Sequence, residues 1–231
     1  MKLVRLSIPA VFGLLVFINS SAVAQKDSKA LLKEGYKRYG IESGRVESVG
    51  KGSMMETRET IEFDRWGLRE TKLTITDIKV GTFTQSTRSL ALMDGETTVN
   101  VDLETKQGTR IKNNMMIQIV DKMGSKDMTK ASEDLMKKMG GKKVGSESIL
   151  GQPCEIWEIR SLGSKTWVWN NISLQNETKL AGIGMTITAV NVEANPRIPE
   201  STFAIPDSII VKEGGSPLEM LKDIKKKGKK G

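Results

Sequence analysis

The chain has 231 residues, no histidine, one cysteine and a formal net charge of +8 at pH 7. The lack of histidine excludes the Ser-His-Asp and Cys-His nucleophile systems and removes the commonest metal ligand. A single cysteine cannot form an internal disulfide, and without histidine it cannot complete a zinc site. This composition favours a binding protein over an enzyme, and we expect no metal and no cofactor.

Residues 1–24 have the pattern of a cleavable secretory signal. A basic start precedes an apolar run over residues 8–18, and residues 22–24 (Ala-Val-Ala) place small side chains where a signal peptidase reads them. The run is too short to span a bilayer, and no cysteine follows it to accept a lipid. We therefore predict a mature chain from Gln25 that is exported to the periplasm without a lipid anchor.

The net charge comes mostly from the two ends of the chain. Removal of residues 1–24 lowers it from +8 to +6, and residues 222–231 carry +5 of the remainder, so the folded body is close to neutral. This distribution argues against a nucleic-acid-binding face. A lysine-rich tail can instead make transient contact with an anionic membrane surface, or it is a solvated end. The lysines in question are Lys222, Lys225, Lys226, Lys227, Lys229 and Lys230.

Alternation of apolar and polar residues predicts antiparallel strands in the first half of the mature chain. Arg65-Trp66-Gly67 is a turn between two of them, and Asp94-Gly95 is a strong hairpin signal. The predicted strand segments are residues 60–64, 72–76, 90–92, 98–103 and 110–112.

One amphipathic helix is predicted to interrupt the strands. Ser125 or Asp127 can cap its N-terminus, and Gly140-Gly141 can end it. Its apolar stripe consists of Met128, Ala131, Leu135 and Met139.

Strand signals return in the second half, over residues 154–160, 165–170 and 185–192, with residues 203–206 as a last edge strand. A capping box at Ser216 predicts a short C-terminal helix before the lysine tail. These elements predict an α+β fold, an antiparallel sheet of about eight to ten strands with one helix inserted midway. We assign residues 25–214 to one domain and residues 215–231 to the short helix and tail.

Four local motifs resemble a family of exported bacterial proteins of poorly defined function. Residues 39–47 (YGIESGRVE) resemble its first strand, and residues 60–67 (TIEFDRWG) its hairpin. Residues 102–109 (DLETKQGT) resemble its D-L-x-T-x-x-G-T turn, and residues 149–157 (ILGQPCEIW) its G-x-x-C-E-[IV]-[WY] strand. The resemblance extends from Tyr39 to about Val211, and the family is similar to the LolA/LolB-like periplasmic lipoprotein carriers.

The resemblance implies a strongly curved, unclosed half-barrel whose concave apolar face is covered by helices and receives acyl chains. The carriers use an arginine to hold their lid closed. Arg58, Arg69 and Arg88 all lie in strand-like segments here, and none has a distinctive match to that arginine.

The residues predicted to line a ligand cavity are the inward positions of the strands, the methionine-rich segment and two tryptophans of one strand face. Each set has an ordinary alternative, which is permanent packing in a core. Cys154 is expected to be a buried, inert thiol, and Glu62 with Asp64 to be solvated charge. The predicted lining residues are Ile61, Phe63, Leu90, Leu92, Val99, Val101, Met115, Met116, Met128, Leu135, Met139, Trp167 and Trp169.

These observations predict a monomeric, non-catalytic periplasmic carrier that shelters a lipid, an acylated protein or another amphiphile. The alternative is a structural or protein-interaction domain of the cell envelope with no ligand cavity. A third hypothesis, an enzyme that uses carboxylates, would need two acidic side chains converging in a cleft.

Overall fold

The computed structural model describes residues 25–113, 115–180 and 183–214. Its helices are α1 (Ser28–Lys33), α2 (Met115–Lys122) and α3 (Met128–Lys138). Its strands are β1 (Gly44–Gly52), β2 (Met55–Asp64), β3 (Arg69–Val80), β4 (Phe83–Asp94), β5 (Thr97–Asp102), β6 (Gln107–Lys112), β7 (Lys142–Ile149), β8 (Gln152–Ile159), β9 (Ser164–Trp169), β10 (Ile172–Leu180), β11 (Ile183–Ala194) and β12 (Ile210–Glu213). The predicted signal and the predicted C-terminal helix and tail lie outside the described residues.

All twelve strands belong to one unclosed sheet in the order β12-β6-β5-β4-β3-β2-β1-β11-β10-β9-β8-β7. Neighbouring strands are antiparallel except β12, which lies parallel to β6. The predicted antiparallel sheet is therefore confirmed in its main feature, but eight to ten strands was too few. The edge strand β7 is exposed along almost its whole length and has no alternating apolar pattern, so its sequence carries no strand signal.

The predicted edge strand at residues 203–206 is wrong. Residues Glu200–Phe203 form a 3-10 turn, and the last strand is β12, a few residues later. The prolines at 199 and 206 offer no N–H to a ladder, so this part of the chain crosses the sheet without pairing and joins it only at Ile210.

The predicted turn between β2 and β3 is confirmed and is unusually tight. Arg65, Trp66 and Gly67 all have positive φ, at 52°, 59° and 77°. The Trp66 carbonyl accepts hydrogen bonds from the N–H groups of Arg38 and Tyr39, both at 2.9 Å. The turn therefore anchors the segment that leads from α1 into β1.

One face of the sheet carries a large apolar cluster, the strand core, centred on the fully buried Phe63. Its described members come from strands and from the segment just before β1, with none from a helix. Because no described helix contributes a residue to this cluster, we attribute the burial of these side chains to the curvature of the sheet. Its buried residues are Tyr39, Val46, Phe63, Cys154, Ile156, Trp167, Ile172, Leu174 and Ala189.

The inserted segment forms two helices where one was predicted. The Asp127 carboxylate accepts the Thr129 N–H at 2.9 Å and caps α3, as predicted, and the chain leaves the helix before Gly140, whose φ is 82°. The buried residues of the three helices form a separate group, the helix cluster, which packs on Leu68 beside the β2–β3 turn. Its residues are Leu31, Tyr36, Leu68, Ile117, Val120, Met128 and Ala131. A helix covering the concave apolar face is thus not confirmed.

Among the described residues, no helix is long and apolar enough to cross a membrane.

Substitutions at Gly67 and Gly81 can separate the effect of backbone conformation on stability from the effect of packing. Both have positive φ, but a Cβ on Gly67 would overlap the Tyr39 ring, whereas a Cβ on Gly81 would meet nothing. We expect Gly81→Ala to cost about 1 kcal/mol of unfolding free energy and Gly67→Ala about 3 kcal/mol. Urea denaturation of both variants measures the difference, and equal losses would contradict the proposed close contact.

Candidate functional site

The predicted cavity residues do not surround one hollow. Ile61, Phe63, Trp167 and Trp169 belong to or pack against the strand core. Phe63 is fully buried, and the Trp167 indole N–H donates to Glu147 at 2.8 Å. These four side chains contribute to a packed core, which is the ordinary alternative considered for them.

A second set of the predicted lining residues lies on the face of the sheet opposite the strand core. Ile61 pairs with Lys72, which pairs with Ala91, so Ala91 shares the face of Ile61. Its neighbours on β4, Leu90 and Leu92, therefore point the other way. They pack with strands β5 and β12 and with the segment after β11 in what we call the β4–β5 cluster. Its members are Leu90, Leu92, Val99, Val101, Leu103, Ile205, Ile209 and Val211.

The predicted lining residues of the methionine-rich segment lie in a third environment, among the helices. Met128 is 2% exposed in the helix cluster, whereas Met139 is 46% exposed at the end of α3, and Leu135 is half-buried. The side chains of Met115 and Met116 lie outside the part of the chain that the structure describes.

A cleft of ≈ 660 Å³ lies at the edge of the β4–β5 cluster, near the helix end of the sheet. Its floor is Leu92 and Val99, which are 7% and 4% exposed, and one wall is the segment Phe203–Ile205. Its volume falls within the range of about 300–1,000 Å³ that is usual for ligand pockets. Polar and charged side chains form the remaining lining, namely Gln25, Asp27, Arg69, Glu70, Asp94, Thr97, Arg110 and Glu200, together with Met93.

Arg69 fixes the wall of this cleft. Its side chain is 8% exposed and bridges two carboxylates, Asp64 across the β2–β3 hairpin and Glu200 in the 3-10 turn after β11. The guanidinium donates to Asp64 at 2.9 Å and to Glu200 at 2.8 Å. It also lies 4.0 Å from the centre of the Phe203 ring. One arginine therefore holds residues 200–203 against the start of β3.

The electrostatics of this contact follow from its geometry. Burial lowers the pKa of Arg69, but the hydrogen bonds to Asp64 and Glu200 outweigh burial and raise that pKa above its ordinary value. The hydrogen bond from Arg69 lowers the pKa of the Glu200 carboxyl. The ion pair is thus fully charged at neutral pH.

A second polar contact is made by Glu70, which also lines the cleft. Burial raises the pKa of Tyr39, so its phenol stays protonated and donates to Glu70 at 2.6 Å. Arg38 donates to the same carboxylate at 2.9 Å. Glu70 is therefore held by two partners and is not presented to a ligand as a free base.

A smaller groove of ≈ 360 Å³ separates α3 from the sheet. Met136 of α3 faces Glu155 and Trp157 of β8 across it, with Trp169 at its margin. Glu155 and Trp157 alternate along β8 with Cys154 and Ile156 of the strand core, so α3 lies over the face opposite that core. The sequence predicted a space between the helix and the apolar face of the sheet, whereas this groove lies on the opposite face, and its volume is at about the lower limit of a ligand pocket.

A third groove, of ≈ 770 Å³, runs along β3 to β6. Apart from Leu90, Ala91 and Val101, its lining consists of polar and charged side chains such as Lys72 and Thr74. Leu90 and Val101 also belong to the β4–β5 cluster, so this groove borders that cluster too.

The residues considered for other chemistry are placed as follows. Cys154 is 1% exposed, and burial raises the pKa of its thiol, so it is not a nucleophile in the folded state. Within the described ranges, no group of three or more acidic, cysteine or histidine side chains could hold a metal ion. Asp64 is an ion-pair partner of Arg69, and Glu62 lies 3.9 Å from Arg45.

The pair of Arg69 and Glu200 was not found by sequence reasoning. The contact between Arg69 and Asp64 could have been predicted, because the turn at 65–67 places Asp64 opposite Arg69. The other half joins residues 131 positions apart, and no local pattern marks such a contact.

No protein-family model matches the chain, and no curated protein matches it. Its fold is similar to that of an uncharacterised conserved protein from Thermus thermophilus, with a TM-score of 0.50 and 9% identity over 81% of this chain and 99% of that one. MucB matches with a TM-score of 0.40 and 9% identity over 78% of this chain and 63% of MucB.

A domain from Vibrio parahaemolyticus, provisionally assigned to outer-membrane lipoprotein sorting, matches with a TM-score of 0.29 and 14% identity over 77% of this chain and 95% of that one. At such identities a likeness concerns the fold alone, and TM-scores of 0.40 and 0.29 are too low to establish even that.

Removal of Arg69 is expected to destabilise the protein measurably. Arg69→Ala leaves Asp64 and Glu200 without their shared partner, but their side chains are 22% and 78% exposed and regain water. We therefore expect a loss of about 2 kcal/mol, less than for a fully buried pair. The control is Arg58→Ala, whose pair with Asp77 is 61% exposed on the arginine side and should cost no more than about 0.5 kcal/mol. Urea unfolding measures both, and equal losses would contradict the role given to Arg69.

The same contact predicts a pH dependence. Because folding lowers the pKa of Glu200, its contribution to stability is complete above the ordinary pKa of a glutamate, about 4.3. The contribution is lost as the pH falls through the lowered value. The unfolding free energies of the wild type and Glu200→Gln should therefore converge as the pH drops from about 6 to about 3, the range over which a glutamate titrates. In a protein that already carries Arg69→Gln, the further change Glu200→Gln should no longer alter the pH dependence of the unfolding free energy. If it alters that dependence as much as it does in the wild type, this explanation is wrong.

Proposed function

We propose that this protein is a non-catalytic carrier that holds the apolar part of an amphiphile in the cleft beside the β4–β5 cluster. The observation that carries the proposal is the cleft itself, an open space of ≈ 660 Å³ with Leu92 and Val99 as its floor. An apolar chain laid there would cover the partly exposed wall residues Phe203–Ile205, and this burial would drive binding.

The rim would orient the ligand. Arg110 and Thr97 lie at the margin of the cleft, and Arg110 also pairs with Glu213 at 2.8 Å. The Arg110 side chain is 40% exposed, so it can meet a polar or anionic headgroup while the apolar chain lies inside. We infer a lipid or an acylated protein as the ligand class on this basis.

Arg69 would act as the latch of the cleft wall. The resemblance to lipoprotein carriers implies an arginine that holds a lid closed, and Arg69 has suitable contacts, since it ties Glu200 and Phe203 to the sheet. In this proposal the segment Phe203–Ile205 is the movable wall, and the helices pack elsewhere.

We further propose that the protein works in the periplasm after removal of residues 1–24 and that it is monomeric. The six tail lysines, which lie outside the described residues, would make only transient contact with anionic membrane. Support comes from the sequence pattern of residues 1–24 and from the charge of residues 222–231.

The test is to fill the cleft. Ala204 lines it, so Ala204→Trp should lower the affinity for an apolar fluorophore about tenfold or more, because the indole occupies the ligand's space. The control is Val190→Trp, which introduces the same side chain at a position that is 54% exposed on β11 and should leave binding unchanged. Melting temperatures of both variants confirm that they are folded.

Mass spectrometry of processed protein purified gently from its own envelope gives the second readout. Lipid that accompanies the wild type and Val190→Trp but not Ala204→Trp would support the cleft. If no lipid accompanies the wild type and no fluorophore binds, the carrier proposal fails, and a structural domain without a ligand is the remaining interpretation.

A further inference from the structure

We propose that four neighbouring loops at the end of the sheet opposite the β2–β3 and β4–β5 turns form a docking surface for anionic lipid bilayers. The loops are residues 51–55 (β1–β2), 79–83 (β3–β4), 160–163 (β8–β9) and the described flank of the β10–β11 hairpin at Lys179. We call this surface the hairpin tips. It includes no residue of the cleft and no lysine of the tail, and a cleft that binds nothing would leave it unaffected.

Hydrogen bonds join the four loops into one surface. The Lys79 N–H donates to the Met54 carbonyl at 2.9 Å, which links the β3–β4 and β1–β2 hairpins. Gly52 pairs with Met185 at the start of β11. The Lys179 N–H donates to the Gly163 carbonyl at 2.8 Å, which links β10 to the β8–β9 loop. The tips therefore lie side by side along one end of the sheet.

Three of the four tips expose a large apolar side chain. Phe83 is 59% exposed, Met54 is 52% exposed and Leu162 is 47% exposed. Each sits on a different hairpin, and together they are three of the described chain's eight exposed large hydrophobic residues. Apolar side chains at loop ends can enter the boundary between headgroups and acyl chains while the strands stay in water.

The charge of the tips points to an anionic surface. Residues 51–55, 79–83, 160–163 and 179 contain Lys51, Lys79, Arg160 and Lys179 but no carboxylate. All four basic side chains are on exposed residues. The nearest acidic residues lie one or two positions inward on the strands. Glu158 accepts from Arg160 at 2.9 Å, and Glu56 pairs with Lys51 across the hairpin. Asp77 and Glu177 lie two residues before Lys79 and Lys179. Basic residues around exposed apolar ones match anionic headgroups around acyl chains.

The two ends of the sheet differ in what covers them. The helix cluster packs on Leu68 beside the β2–β3 turn, and residues 26–28 contact the β4–β5 hairpin through hydrogen bonds to Asp94 and Glu96. Those turns lie at the far end of the same strands. No described segment of the chain lies over Met54 or Phe83 in a comparable way, since both are more than half exposed.

The test uses processed protein purified after export and vesicles of phosphatidylcholine with or without phosphatidylglycerol. Every variant is made both in the natural chain and in a background with the six tail lysines changed to glutamine, so that the tail cannot supply the binding. Sedimentation gives the partition coefficient. We expect the tail-neutral protein to bind the phosphatidylglycerol vesicles.

Two sets of substitutions separate the apolar and the charged contributions. Met54→Ser with Phe83→Ser should lower the partition coefficient about tenfold. Changing Lys51, Lys79 and Lys179 to glutamine should lower it several-fold for each lysine, only on vesicles with phosphatidylglycerol, and less at high salt. The matched control is Val190→Ser with Ile210→Ser, two residues that are 54% and 65% exposed elsewhere on the sheet and whose loss should have no effect.

A separate measurement guards against misfolded variants. Phe83→Trp should show a blue shift of tryptophan emission, relative to the wild type, when vesicles are added, because the new indole enters the interface. The proposal is overturned if the tail-neutral protein does not bind, if the control pair weakens binding as much as the tip pair, or if Phe83→Trp binds without a shift. Capture of a soluble protein by the tips in place of vesicles would equally overturn it.

Discussion

The burial of Phe63 by a single sheet is the constraint on which the other features depend. A flat sheet leaves one face open to water unless another layer covers it. Here the strand core extends from β2 across β1, β11, β10 and β9 to β8, and its members are buried without a helix among them. The irregularities in register at Glu47/Ser48 and at Ser173/Gln175 add local twist and help the strands to curve around these side chains.

Because the sheet buries this face by itself, the helices are free to pack elsewhere. They assemble against Leu68 at one end of the sheet, and α3 lies over the face opposite the strand core, with a groove between them. The lipoprotein-carrier resemblance implies a helix over the concave face, but the described helices lie elsewhere. The cleft with Leu92 and Val99 as its floor lies beside β4 and β5, under the segment that contains the 3-10 turn Glu200–Phe203.

Arg69 decides where that segment lies. A nearly buried guanidinium needs partners for its charge, and its two carboxylates come from the adjacent hairpin strand and from Glu200. This requirement ties residues 200–203 to the start of β3, after which the chain reaches β12 and pairs with β6. The same contact thus shapes the cleft and positions the last strand.

The two proposed surfaces lie at opposite ends of long strands. Phe83 and Leu92 of the cleft floor lie nine residues apart on β4, which at about 3.3 Å per residue is roughly 30 Å. A bilayer that met the hairpin tips would therefore leave the cleft mouth in the aqueous phase. In such an arrangement the tips would hold the protein at a membrane while the ligand is received from or passed to a soluble partner.

The sequence by itself determined the local structure of this protein. Alternation identified most of the central strands, the turn at residues 65–67 followed from its residues, and Asp127 with Gly140 marked the ends of α3, since these signals act within a few residues. Edge strand β7, the short helix α1 and the division of the inserted segment into α2 and α3 had no such signal. Only the tertiary structure decided which apolar residues form one core, that Leu92 faces away from Phe63, that Arg69 meets Glu200, and that Met54, Phe83 and Leu162 share one end. Each of these depends on strand register and on the curvature accumulated over twelve strands, and a local pattern carries no information about either.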